Sequence, residues 1–133
     1  MPLKSYLSRL LALVLAVTIS LMGCSSTSGL TGNYSQDTLK VIETLTQVID
    51  LPTDAPNQKE LQTTARQEIN DYISRYRRNS NSGGLRSFTT MQTALNSLAG
   101  YYTAYGSRPL PDKLKQRLQL ELKQAKVAVE RGV

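Results

Sequence analysis

The sequence predicts an all-α protein, folded as an antiparallel up-down-up-down four-helix bundle. Four segments carry apolar residues at intervals of three and four, which places those residues on one face of a helix. Short breaks that contain proline or glycine separate the segments, and short connections favour antiparallel neighbours. No segment alternates polar and apolar residues convincingly with the period of two that a strand requires.

The first helix is predicted from about residue 35 to residue 50. Asn33 or Ser35 can cap its start, because a short polar side chain can accept a hydrogen bond from a free backbone N–H group. Leu51 ends it, since a residue that precedes proline is disfavoured in the helical region. The apolar face consists of Val41, Ile42, Leu45, Val48 and Ile49.

The second helix is predicted to begin near Asp54, a capping residue that is followed by Pro56. It ends with Arg77 and Arg78, whose charges suit the negative end of a helix, before the break NSNSGG at residues 79–84. Its apolar face consists of Leu61, Ala65, Ile69, Tyr72, Ile73 and Tyr76.

The third and fourth helices complete the bundle. Ser87 is the predicted cap of the third and Gly106 its C-terminal stop, and Asp112 begins the fourth. The apolar faces consist of Phe88, Met91, Ala94, Leu95, Leu98, Tyr102 and Tyr105 in the third helix and of Leu114, Leu118, Leu122, Ala125 and Val129 in the fourth.

The first 23 residues have the pattern of a secretory signal. Lys4 and Arg9 precede an uncharged run at residues 10–22, which is shorter than the roughly 20 apolar residues of a membrane span. The run ends in LMGC, which resembles a bacterial lipobox and makes Cys24 the expected acceptor of lipid. We therefore expect a lipoprotein signal peptide at 1–23, a flexible lipidated tether at 24–34 and the bundle domain at 35–133.

The composition argues against an enzyme. The chain of 133 residues has no histidine and one cysteine, which removes the commonest general base and the usual zinc ligand sets. Glu68 and Asp71 are three residues apart on a helix, and we interpret this pair as surface charge. No catalytic residue, metal site or cofactor is predicted, and nucleic acid is not an expected partner of an exported protein without a groove-reading motif.

The candidate residues for binding a partner protein are mostly basic. The chain has a formal net charge of +6, and four arginines gather around the connection between the second and third helices. Arginine can bind carboxylates in a bidentate manner, but charge at a helix end can equally serve solubility. The candidates are Arg75, Arg77, Arg78, Arg86, Arg108, Tyr101, Leu120 and Val127.

The last three of these candidates are not basic. Leu120 and Val127 lie away from the main apolar face of the fourth helix, where they can contact a partner or be ordinary exposed residues. Tyr101 lies at the margin of its apolar face. We expect Tyr72, Tyr76, Tyr102 and Tyr105 to pack in the core.

Four sequence blocks together resemble one known family: GLTGNYSQDTL, INDYISRYRR, GGLRSFTTMQTALNSLAGYY and the final AVERGV. The chain is similar to the photosystem II assembly lipoproteins of cyanobacteria, over residues 29–133 and also in its signal and cysteine. The resemblance implies a lipid-anchored, non-enzymatic four-helix bundle on the lumenal side of the thylakoid membrane, monomeric when free.

The resemblance further implies transient binding to assembly and repair intermediates of photosystem II. The expected partner is chiefly a lumenal loop of the inner chlorophyll antenna protein, and the expected role is to keep the manganese site accessible until assembly is complete. The residues alone leave open another class, an envelope lipoprotein that acts as a generic adaptor or inhibitor of a different membrane complex.

Overall fold

The computed structural model describes residues 28–52, 54–106 and 108–133. This part of the chain forms helices and no strand, which confirms the predicted all-α class. The helices are α1 (Tyr34–Asp50), α2 (Gln58–Tyr76), α3 (Arg86–Tyr105) and α4 (Asp112–Glu130).

The helices pack as an antiparallel four-helix bundle. Helix α1 packs against α2 and α4, and α3 packs against α2 and α4. At one end, the Tyr34 hydroxyl in the first turn of α1 lies 2.7 Å from the Ser87 hydroxyl in the first turn of α3. At the same end, the Tyr34 ring meets the ring of Tyr76, the last residue of α2, at 5.1 Å. The first turns of α1 and α3 therefore lie at the same end of the bundle as the last turn of α2, as an antiparallel arrangement requires.

The predicted apolar faces of the helices form the core. Each helix contributes residues that are almost completely buried, and burial of this apolar surface is the main stabilising term of such a bundle. At the end where α1 begins, the core is aromatic, because Tyr72 stacks on Phe88 at 5.9 Å and contacts Tyr76 at 5.2 Å. The deepest apolar members include Val41, Leu45, Ala65, Ile69, Tyr72, Met91, Leu95, Leu98, Leu118 and Leu122.

Helix α1 starts and stops as predicted. Of the two candidate caps it uses Asn33, whose side chain accepts a hydrogen bond of 3.1 Å from the Gln36 N–H. It ends at Asp50, with Leu51 in extended backbone before Pro52. Gly106 ends α3 with φ of +64°, a left-handed value that glycine adopts without strain.

The predicted starts of α2 and α3 are wrong. The segment around Asp54 forms a turn instead, with a hydrogen bond from the Ala55 N–H to the Pro52 carbonyl, and α2 begins only at Gln58. Helix α3 begins at Arg86, so Ser87 lies inside its first turn and bonds Tyr34 rather than capping. The Ser87 side chain thus bonds another helix instead of a free backbone N–H group, and the chain at Asp54 forms a turn before the helix begins.

The segment that precedes α1 lies against the bundle. The sequence predicted a flexible tether through residue 34, but Ser28 and Leu30 are buried at 6% exposure each. The Ser28 hydroxyl donates to the Asp71 carboxylate of α2, and Lys40 of α1 donates to the Gly29 carbonyl at 3.2 Å. Residues 28–33 are therefore part of the folded domain. The predicted signal peptide and Cys24 lie outside the described residues.

The Asp37 carboxylate holds this segment in place. It accepts hydrogen bonds from the Thr31 N–H at 2.7 Å, the Thr31 hydroxyl at 2.9 Å and the Gly32 N–H at 2.9 Å. A fourth bond of 2.5 Å comes from the Tyr76 hydroxyl at the end of α2. Burial alone raises the pKa of Asp37, but these hydrogen bonds outweigh burial and hold the pKa below its usual value.

We predict that Tyr76→Phe destabilises the fold by about 1–2 kcal/mol at pH 7, because it removes one donor to a buried carboxylate. The lowered pKa of Asp37 stabilises the folded state above the unfolded-state pKa, and this stability is lost as the pH falls through the folded-state pKa. Denaturant unfolding at pH 7 and pH 3 should therefore show the gap between variant and wild type shrinking in acid. A gap that stays constant would contradict this role of Asp37.

Glu68 of α2 is a second buried carboxylate, and its pKa is raised where that of Asp37 is lowered. It is 1% exposed, and its Oε2 atom has no hydrogen-bond partner in the described part of the chain. Burial raises its pKa, while a hydrogen bond from Thr44 and the charge of Lys40 oppose that rise and the charge of Glu43 adds to it. The raised pKa means that folding favours the protonated form of Glu68, so its contribution to stability falls as the pH rises toward neutral.

We predict that Glu68→Gln stabilises the fold at pH 7, by about 1 kcal/mol. A raised folded-state pKa means that stability falls as the pH rises from the unfolded-state value through the folded-state value. Thermal unfolding should therefore show a higher midpoint for Glu68→Gln at pH 7 and a smaller gain at pH 4. The matched control is Glu60→Gln, an exposed change on the same helix, for which no gain is expected.

Candidate partner-binding surfaces

The four arginines around the α2–α3 connection divide into three structural roles. Arg75 donates to the Asp71 carboxylate at 2.8 Å and is part of the contact surface of the N-terminal segment, since it also approaches Gly32. Arg77 and Arg78 follow the last residue of α2 and are exposed, and neither forms an ion pair with another described residue. Arg86 opens α3 and faces α4 instead.

Helices α3 and α4 form an open groove of about 560 Å³. Its apolar residues include Leu120 and Val127, which the sequence singled out as lying away from the core face. Their exposed fractions are 56% and 40%, and Val133 at 46% extends the apolar surface. The basic residues along it are Arg86, Lys123 and Arg131, and the lining residues include no Asp or Glu. The structure thus joins three predicted candidates, Arg86, Leu120 and Val127, in one surface.

A second groove, between α1 and α4, has a different charge pattern. It has a similar volume of about 570 Å³ and an apolar floor that includes Ile42 and Leu122. Glu43 and Glu130 line it together with lysines, so its charges are mixed. The two grooves therefore have similar volumes but differ in charge, since only the groove between α1 and α4 is lined by carboxylates.

Tyr101 and Arg108 lie at the opposite end of the bundle. The Tyr101 hydroxyl donates to the Pro109 carbonyl at 2.6 Å, and its ring packs partly against the core. Tyr101 therefore braces the connection from α3 to α4. Arg108 is exposed beside a cleft that Asp50 and Lys115 also line.

The prediction that Tyr105 packs in the core is wrong. It is 54% exposed, and its ring meets Tyr101 at 4.9 Å rather than the apolar interior. Its position directly before Gly106, as the last residue of the helix, is the signal that sequence reasoning missed. The other three tyrosines of that prediction are buried, and burial raises the pKa of Tyr102 to about 12.

The described residues show no cluster of candidate metal ligands. They contain no group of three or more His, Cys, Asp or Glu side chains that could hold a metal ion. The interpretation of Glu68 and Asp71 as surface charge is wrong for Glu68, which is buried, whereas Asp71 is partly exposed and bonds Arg75 and Ser28. None of the helices in this part of the chain is long and apolar enough to span a membrane.

Comparison with known protein families matches residues 6–129 to the family described as Photosystem II Pbs27. The chain belongs to this family. Members of the Pbs27 family are assembly factors and not enzymes, which confirms the prediction drawn from the composition.

Two curated relatives and one solved structure show how far the similarity extends. The chain is 70% identical to the photosystem II lipoprotein Psb27 of Synechocystis sp. over 131 residues, 98% of each chain. It is 47% identical to the photosystem II assembly factor lipoprotein Psb27 of Thermosynechococcus vestitus over 130 residues, 97% of each. The solution structure of Psb27 from cyanobacterial photosystem II matches with a TM-score of 0.76 and 72% identity, and covers 83% of this chain and 96% of that one.

We predict that Arg77→Glu with Arg78→Glu leaves the unfolding midpoint within about 2 °C of wild type, because both side chains are exposed and unpaired among the described residues. Arg75→Ala should lower it by several degrees, since it leaves the Asp71 carboxylate without its 2.8 Å partner. Thermal unfolding at pH 7 measures both. Equal destabilisation by the two changes would contradict the division of roles.

Proposed function

We propose that the protein is a lipid-anchored accessory factor on the lumenal side of the thylakoid membrane that transiently binds assembly and repair intermediates of photosystem II. The observation that carries this proposal is the 70% identity to a photosystem II lipoprotein along nearly the whole chain. The name of the Thermosynechococcus relative, an assembly factor lipoprotein, supports the same role. The proposed partner is a lumenal loop of the inner chlorophyll antenna, engaged while the manganese site is still maturing.

The structure supports a binding role rather than a chemical one. The bundle presents open grooves and basic side chains that form no ion pair with a described residue, and its buried Asp37 serves the fold. A factor that must leave again needs an interface of modest strength, and polar interfaces with a few arginine contacts meet that need.

The docked N-terminal segment makes the proposed anchor short. Ser28, which is buried and bonded to Asp71, is only four positions after Cys24, with three residues between them. A fully extended chain of four residues spans about 14 Å, whereas a helix of 19 residues is about 28 Å long. An acyl group on Cys24 would therefore hold the end of the bundle where α1 begins close to the membrane and limit its rotation, which raises the effective concentration near a membrane-embedded target.

We predict that Cys24→Ser releases the protein from the membrane, because the acceptor of the lipid is lost. The measurement is the distribution between the membrane and soluble fractions, with the intact mass of the extracted wild type. Wild type should carry the mass of a lipidated chain that begins at Cys24. An unmodified chain of residues 1–133 in the membrane would contradict lipidation without bearing on the binding partner.

The binding role itself is tested by affinity purification of the tagged full-length protein from detergent-solubilised thylakoid membranes. Photosystem II intermediates, including the inner antenna protein, should be enriched over mature complexes. Enrichment of a different membrane complex would instead favour an adaptor or inhibitor of that complex.

A further inference from the structure

We propose that the groove between α3 and α4 is the surface that docks the partner, and that it takes an acidic segment carrying at least one large apolar side chain. This inference rests on the proposed function and names the part of the bundle that performs it. The groove is lined by Arg86, Leu120, Lys123, Val127, Arg131 and Val133, together with smaller residues.

The first argument is the distribution of exposed apolar side chains. Among the described residues, four large apolar side chains are markedly exposed: Tyr105, Leu120, Val127 and Val133. Tyr105 is accounted for by its contact with Tyr101, and the other three all line this groove. Single exposed apolar residues are ordinary, but a concentration of them on one surface is typical of an interaction site.

The second argument is the geometry of the apolar surface. Leu120 and Val127 are seven residues apart on α4, which is two helical turns, so their side chains point the same way about 10 Å apart. Two anchor points at this spacing suit a partner segment that lies along the groove and inserts apolar side chains at both. Val133 continues the surface toward the end of the bundle where α3 begins.

The third argument is charge. The basic side chains along the groove have no carboxylate side chain among its lining residues, and none of them forms an ion pair with a described residue. The groove between α1 and α4 has almost the same volume, but Glu43 and Glu130 line it. Complementarity of charge therefore selects an acidic partner for the first groove and no particular sign for the second.

Arg86 adds a fourth argument, because the fold does not favour a cation at its position. It is the first residue of α3, where the backbone N–H groups carry partial positive charge and an acidic residue would be stabilising. No acidic residue lies in that first turn. A residue that opposes the local rule and has no ionic partner within the described part of the chain is typical of a functional position.

The test measures binding of the full-length protein to photosystem II complexes purified from cells that lack it. Arg86→Glu with Arg131→Glu should weaken binding at least tenfold at low salt and flatten its salt dependence, because opposite charges across an interface are screened by salt. Leu120→Gln with Val127→Gln should also weaken binding at least tenfold but leave the salt dependence unchanged. All four side chains are exposed, and thermal unfolding verifies that each variant is folded.

The matched control is Lys59→Glu with Lys126→Glu, which changes the net charge equally at two exposed lysines outside this groove. It should change the affinity less than twofold. Equal weakening by the control and the groove variants, or unchanged binding by both groove variants, would overturn the docking site while the proposed function stands. Failure of the unaltered protein to bind would overturn the proposed function, and this inference with it.

A photo-crosslinking residue in place of Leu120 identifies the occupant in intact membranes, with the same residue in place of Gln47 in the other groove as the control. The expected adduct from position 120 is a photosystem II protein, crosslinked within an acidic segment. An adduct with lipid, with a second copy of this chain or with a segment that lacks acidic residues would overturn the proposal, and so would the absence of any adduct at position 120.

Discussion

The Asp37 carboxylate is the interaction on which the architecture of this protein depends. This one side chain in the first turn of α1 binds the backbone of the preceding segment and the hydroxyl of Tyr76 at the end of α2. It thereby closes the aromatic end of the core and fixes the path of the chain that leads toward Cys24. A buried carboxylate would cost stability without these donors, and four hydrogen bonds reverse the sign of its contribution.

The same network links the fold to the proposed role at the membrane. A bundle on a long flexible tether could approach its target in any orientation. Here residues 28–33 bind along α1 and α2, so the free part of the tether is short. The groove between α3 and α4 reaches the same end of the bundle through Arg86, Arg131 and Val133. The proposed anchor, which would act through α1 and α2, would leave the groove between α3 and α4 open near the membrane for the proposed lumenal loop.

The helices and the core could be predicted from the sequence because both follow from apolar periodicity. Val41, Leu45, Leu118 and Leu122 repeat at helical spacing, and packing the four helices together buries their apolar faces. Tertiary hydrogen bonds could not be predicted in this way. Asp37 lies four residues before Val41 and so on the buried face, but a charged residue at the start of a helix ordinarily stays in solvent. The serine- and glycine-rich composition of residues 24–32 predicts a flexible segment. Residues 28–32 nevertheless dock on the bundle, through tertiary hydrogen bonds that composition does not show.

The candidate surface was only partly predictable. Leu120 and Val127 could be identified from the sequence because they lie away from the main apolar face of α4. Their grouping with Arg86 depends on how α3 packs against α4. Arg75 was also only partly predictable. Its partner Asp71 lies four residues earlier on the same helix, a spacing that the sequence shows, whereas the docking of Gly32 beside Arg75 depends on the tertiary fold.

Hydrogen–deuterium exchange of the protein, free and bound to photosystem II assembly complexes, tests the central claim most directly. Binding should slow exchange at the start of α3 and along residues 120–131, and leave residues 39–47 of α1 unchanged. The segment 28–33 should be protected in both states. Slowed exchange confined to the α1–α4 groove, or a segment 28–33 that exchanges freely in the unbound protein, would contradict the account.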